Sequence, residues 1–189
     1  MRDELPQFRK ASVNQHPEAH RFVADSPSSL RVEVLTENEW PRLRYLRLAA
    51  LRDDPSAFLA SHEHEAAYNE RQWRQEFSRG QWNMMLADDK EIGLLGVTRE
   101  EKMSAQECYL EYLWVAPDFR QVGLGSILLR TVLDHLRDSG VHTVWLYILN
   151  GNHGAMRFYQ SFGFQSTNER QLLQDHPAGS EERMKLQLD

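Results

Sequence analysis

A single cysteine, Cys108, leaves this chain of 189 residues without any internal disulfide framework, so its stability has to come from a buried core. No apolar run comes near the ~20 residues that span a bilayer. The opening MRDELPQFRK lacks the hydrophobic centre of a secretory leader, which makes the cytoplasm the expected compartment. Positive charge is in short supply: 22 Lys and Arg stand against 28 Asp and Glu, for a net charge of −6. That balance argues against a general nucleic-acid binder and against a surface for anionic membranes, and suits a cationic substrate better. Internal repeats and low-complexity tracts are absent. So is the H-E-x-x-H zinc spacing: His62-Glu63-His64-Glu65 places its histidines at i and i+2, which point apart on a helix, and reads as a solvated face without a metal. What remains is an ordinary globular composition, 41% hydrophobic and 26% charged, with room for one domain.

Residues 1–30 hold Pro6, Pro17, Pro27 and the cluster Asp25-Ser26-Pro27-Ser28-Ser29 without a sustained apolar period, and read as an extension with little structure of its own. The domain, residues 31–189, begins with a short alternating strand, Arg31 to Leu35. Thr36-Glu37-Asn38-Glu39 matches a capping box, and Trp40, Leu43, Leu46, Ala50 and Leu51 recur at helical spacing until Asp53-Asp54-Pro55. Arg42, Arg44 and Arg47 on that helix read as a hydrated surface. A polar stretch with short helices follows to Arg79. Strands are predicted at Gln81 to Ala87, Ile92 to Thr98 and Gln106 to Val115, a helix over Gly123 to Ser139, a strand over Val141 to Leu149, a helix over Asn152 to Phe162, and two closing strands, Phe164 to Leu173 and Arg183 to Leu188. The order implies a mixed α/β (α+β) domain whose sheet is antiparallel at first and includes a β-α-β crossover.

The crossover passes through Arg120-Gln121-Val122-Gly123-Leu124-Gly125-Ser126, between the apolar run Leu110 to Val115 and the helix. Glycines at 123 and 125 let the backbone turn tightly and approach a ligand without a Cβ in the way. Several N–H groups can then converge on one anion, and the helix behind adds roughly +0.5 charge at its first turn. Arg120 could add a charge-assisted contact. A dinucleotide-binding Rossmann unit would need a third glycine, but Gly125-x-x is followed by Leu128, and the loop comes too late in the chain.

Arg120-x-x-Gly123-x-Gly125 after Leu113-Trp114-Val115-Ala116-Pro117, then Asn152-x-x-Ala155-x-x-Phe158-Tyr159 and Gly163-Phe164, resembles the GNAT superfamily of acetyl-CoA-dependent N-acetyltransferases. The resemblance covers the chain from about residue 31 onward and is densest between 110 and 164. Gln121 stands where the family often has glycine. The resemblance implies a central, mostly antiparallel sheet of about seven strands flanked by about four helices and splayed at the cofactor. It further implies that backbone groups of Leu113, Trp114 and Val115 bond the pantetheine arm, and that Arg120, Gln121, Val122, Gly123, Leu124, Gly125 and Ser126 hold the pyrophosphate. Asn152 would cap the last helix and touch the arm, and Tyr159 would protonate the departing sulfur of coenzyme A.

Such a reaction needs a base, because an amine of pKa ~10.4 is neutral in only about one molecule in two thousand at neutral pH. Glu111 is the candidate: it is the one ionisable carboxylate inside the apolar run Tyr109 to Val115, and strict alternation would put it on one face with Leu113 and Val115. Trp114 is expected to border the acyl or acceptor groove, and Cys108 to be a small buried residue. Acidic Glu63, Glu65, Glu70 and Glu76 would welcome a cationic amine. The acceptor class stays open between a small amine or amino acid, an aminoglycoside-like compound and a protein amine. Terminal strands leave a homodimer open. The alternative function is an acyl-CoA-binding sensor that does not turn over.

Overall fold

A computed structural model describes residues 29–174 and 176–189. The extension read over residues 1–30 therefore lies, apart from its last two residues, outside the described residues. Strand β1 (Leu30–Val34) leads through the capping box into α1 (Trp40–Asp53), with the Thr36 N–H donating to the Glu39 carboxylate at 2.9 Å. The Asp54 N–H bonds the Ala50 carbonyl at 3.1 Å, and Pro55 has no N–H with which to continue the ladder. The polar stretch that follows resolves into α2 (His62–Ala66), capped by Ser61, and α3 (Glu70–Phe77), capped by a box between Asn69 and Gln72. These two caps account for five helices where about four were expected.

Strands β2 (Gly80–Ala87), β3 (Lys90–Thr98) and β4 (Glu107–Val115) form an antiparallel meander. Helix α4 (Leu124–Asp138) carries the chain to β5 (Thr143–Leu149), which is parallel to β4, and α5 (His153–Gln160) precedes the hairpin of β6 (Gln165–Leu172) and β7 (Ser180–Gln187). One seven-stranded sheet results, in the order β1-β2-β3-β4-β5-β7-β6. Each of its faces has a core. Leu128, Leu129, Val132 and Leu136 of α4 pack on Met85, Leu95, Val97, Val144 and Leu146. Leu43, Leu46 and Ala50 of α1 pack on Trp82, Met84, Leu94 and Trp114. Strand alternation sorts β2 cleanly, Met85 and Ala87 to one side and Met84 and Leu86 to the other. Each fully buried leucine or valine contributes roughly 1.5–3 kcal/mol.

The sheet opens at its centre. Strands β4 and β5 pair only from Glu107 opposite Thr143 to Tyr109 opposite Trp145, although they continue to Val115 and Leu149. On the other flank of β4 the register slips: Gly96 faces Glu111 while Leu94 faces Trp114, so β4 carries one extra residue over that step. Tyr112 absorbs it with φ of 58°. A bulge of this kind bends its strand and adds twist, which turns β4 away from β5.

Candidate active site

Beyond Tyr109 the β5-facing edge of β4 pairs with no strand among the described residues, and the glycine loop follows β4 at the end of that opening. Gln121 (φ 63°) and Gly123 (φ 87°) are both left-handed, and α4 starts at Leu124. From Gln121 through Gly125 no backbone N–H donates to an acceptor among the described residues. The first internal bonds come from Ser126 and Ile127, both to the Gly123 carbonyl, at 3.0 and 3.1 Å. A run of outward N–H groups at the positive end of a fifteen-residue helix fits a pyrophosphate.

The two glycines differ in what they do. At Gly123 any other residue would be strained by about 1–2 kcal/mol. At Gly125 a Cβ would meet Val115 at 3.8 Å and Phe158 at 3.9 Å, ordinary contacts, so the fold itself accepts alanine. On the expectation that the loop amides hold acetyl-CoA, a methyl here would crowd that ligand. Gly125→Ala should therefore keep or slightly raise the melting temperature while weakening acetyl-CoA binding about tenfold in calorimetry. Reduced stability with intact affinity would mark the glycine as structural instead.

Glu111 lies beside the opening, but not on the face that strict alternation gives. Leu113 and Val115 pack toward α4. Glu111 instead points to the α1 side with Tyr112 and Trp114, because the extra residue at Tyr112 flips everything after it. Its Oε1 accepts a hydrogen bond from the Thr98 hydroxyl at 3.0 Å, and its other oxygen has no donor among the described residues. Glu111 shares a cavity of about 490 Å³ with Thr98, Arg79, Tyr109 and Tyr147. The rings of Tyr109 and Tyr147 stack at 5.8 Å, and Arg183 of β7 donates to the Tyr109 hydroxyl at 2.9 Å. Burial, reinforced by Tyr147 and opposed by Arg183, pushes the Tyr109 phenol up to about 12.

Tyr159 stands on α5 with its ring edge-on to Phe158 and Phe164. Burial raises its pKa, which holds the phenol protonated at neutral pH. Asn152 caps the same helix, its Oδ1 accepting from the Ala155 N–H at 3.0 Å, and its amide donors have no partner among the described residues. Arg120 points away from the loop: its Nε donates to the Val115 carbonyl at 2.8 Å, and a second nitrogen pairs with Asp53 of α1. Cys108 is fully buried, with its thiol pushed by desolvation to about 11.

Several expectations are corrected. The Trp114 side chain is buried under α1, with its indole N–H on Asp53 at 2.9 Å. Arg47 is not a hydrated residue but is 1% exposed, because it occupies the core stripe of α1 one turn from Leu43. Its guanidinium binds Glu65 of α2 and Glu76 of α3, donates to the Tyr112 hydroxyl at 2.8 Å and lies over the Tyr112 ring at 3.9 Å. Glu65 is thus buried rather than solvated, and neither it nor Glu76 is open to a cationic substrate. Phe58 covers Tyr112, with ring centroids 5.5 Å apart. Tyr147 and Arg183 are not singled out by the sequence, and Glu181 only as part of the segment from Thr167 to Glu182 expected to choose the acceptor. The β5–β7 pairs Tyr147 with Arg183 and Leu149 with Glu181 place them on the face of Tyr109 and Glu111. A tyrosine interrupting the apolar run Val144 to Leu149 was a visible signal for the first of these.

This arrangement has known counterparts. A bS18-alanine N-acetyltransferase of Salmonella typhimurium is 30% identical over 106 residues, which cover 56% of this chain and 70% of that protein. The solved Escherichia coli ribosomal-protein-S18-alanine N-acetyltransferase superposes with a TM-score of 0.61 at 21% identity, over 85% of this chain and 95% of its own. A Salmonella typhimurium protein solved with acetyl-CoA gives 0.64 at 18% identity, over 86% and 95%. The family model for the GNAT acetyltransferases spans residues 41–164, from the start of α1 past α5, and so takes in both the splayed strands and the glycine loop. A binding module without turnover is not what these relatives are, and the chain belongs to the GNAT family of acetyltransferases, as an acyltransferase enzyme.

Proposed function

We propose that this enzyme moves the acetyl group of acetyl-CoA to a primary amine by direct attack in a ternary complex, with Glu111 as base and Tyr159 as proton donor. The observation that carries the reading is the Glu111 carboxylate, held through one oxygen by Thr98, with no donor to the other among the described residues, lining a cavity beside the splayed strands. The loop amides from Gln121 to Gly125, with the Ser126 hydroxyl beside them, seat the pyrophosphate, the β4 edge from Leu113 to Val115 lines the pantetheine arm like an added strand, and Asn152 offers its amide to the arm. With the arm so placed, the thioester carbon reaches the acceptor from the α4 side while the amine comes from the α1 side. The N–C bond forms as the C–S bond breaks, the amine's proton passes to Glu111 directly or through a water, and Tyr159 supplies a proton to the sulfur.

The names of the relatives favour the α-amine of a peptide chain as acceptor. Its pKa of ~7.7–8.0 leaves about one molecule in eight neutral at pH 7, an easier start than a lysine. The test is a thiol-release assay with acetyl-CoA against small amines and peptides, run beside calorimetry of cofactor binding. Release with at least one amine is expected; saturable binding without release across the panel would overturn the reading. The thiol of coenzyme A, pKa ~8.5, leaves readily as thiolate, so Tyr159→Phe should lower kcat only about tenfold and leave KM unchanged in steady-state kinetics. No change in kcat would make Tyr159 a packing residue.

A further inference from the structure

Glu181 is the one strongly buried acid among the described residues with no hydrogen-bond donor. It is 7% exposed, at the start of β7 opposite Leu149, and its carboxylate accepts from no described residue. The other buried acids, Glu65 and Glu76, each hold the Arg47 guanidinium. Glu181 lines a cavity of about 230 Å³ at the end of β5 with Asn150, Asn152, Arg170 and Glu182. Arg170 does not serve it, being paired with Glu182 at 3.4 Å. The neighbour that favours its ionised form is His176 of the β6–β7 connection, whose ring lies 3.4 Å from the Phe58 carbonyl and accepts from the Ala178 N–H at 3.2 Å; Glu111 acts against it. A largely buried carboxylate with no donor among the described residues, and only a histidine near it to favour its charge, is a place where an arriving cation gains.

Glu111 and Glu181 lie on one face of the sheet, near enough for their charges to interact, yet in separate hollows. Nitrogen attacks only when neutral, so a nitrogen that gives up its proton to Glu111 is not the cation that satisfies Glu181. We propose that the acceptor is a primary amine carrying a second positive charge, and that Glu181 receives this second charge in the cavity at the end of β5. The inference rests on the acetyl-transfer reading and adds a specificity-determining residue to it.

The test compares matched acceptors on the protein saturated with coenzyme A. Putrescine and cadaverine are titrated against butylamine and pentylamine, and a peptide beginning Ala-Lys against one beginning Ala-norleucine, by calorimetry and by thiol release with acetyl-CoA. The charged member of at least one pair should bind about tenfold or more tightly, and Glu181→Gln should erase that difference while holding acetyl-CoA affinity within about twofold. Discrimination in the first pair alone identifies a free diamine, in the second alone a peptide. Equal binding within both pairs, or discrimination that survives in Glu181→Gln, overturns the proposal. Should that variant fail to fold, the wild-type comparison decides. Discrimination without thiol release would refute acetyl transfer and leave the cation site standing; thiol release without discrimination would do the reverse.

Discussion

Glu111→Gln should lower kcat by roughly 10²–10³-fold and leave the acetyl-CoA dissociation constant unchanged. Glutamine keeps the size of the side chain, and its carbonyl can still accept from the Thr98 hydroxyl, which wild-type Oε1 does at 3.0 Å. Among the described residues no hydrogen bond or ion pair joins it to the glycine loop, so calorimetry should see no difference. What is lost is the oxygen that takes the proton. Its loss has a signature that misfolding lacks: the deficit should narrow as pH rises, because the acceptor then arrives already deprotonated and needs the base less. A deficit constant with pH would indicate a positioning role, and wild-type turnover in the variant would move the base elsewhere, with Tyr147 and Tyr109 in the same cavity as the next groups to test.

The elements could be read from the sequence because their causes are local. The box from Thr36 to Glu39, the i, i+4 leucines of α4 and the stop at Asp54-Pro55 each act within a few residues, and all of them form. The glycine loop was readable for the same reason: left-handed backbone at Gly123 is a property of that residue and its neighbours. The faces of β4 were not, since one extra residue at Tyr112 has no letter of its own and reverses the strand after it. Arg47 illustrates a second limit. A charged residue on the core stripe of a helix is stable only with counter-ions, and here they come from 18 and 29 positions away. Glu181 and Tyr147 belong to the active face through pairings of β5 with β7, which period and composition do not encode.

Arg47→Ala should be the most damaging single change outside the active site, destabilising the protein by about 3–5 kcal/mol, the range found when one member of a buried ion pair is removed. Glu65 would be left buried at 3% exposure with no cation, since both of its oxygens are held by Arg47. Glu76 would fare better, because Arg79 reaches it at 3.2 Å. In a domain of this size the loss amounts to roughly 6–20 °C in melting temperature, measurable by thermal or urea unfolding. Arg47→Ala/Glu65→Leu, which removes both charges, should recover much of it, because the penalty is the unpaired carboxylate rather than the missing attraction. The network also reaches the chemistry. Arg47 donates to the Tyr112 hydroxyl and covers its ring, and Tyr112 is the residue whose left-handed backbone opens β4 from β5. The double variant should therefore regain stability without regaining full kcat, since the bulge that aims Glu111 loses its clamp in either case. Full activity in a restored, stable double variant would show that the strand holds its bend unaided.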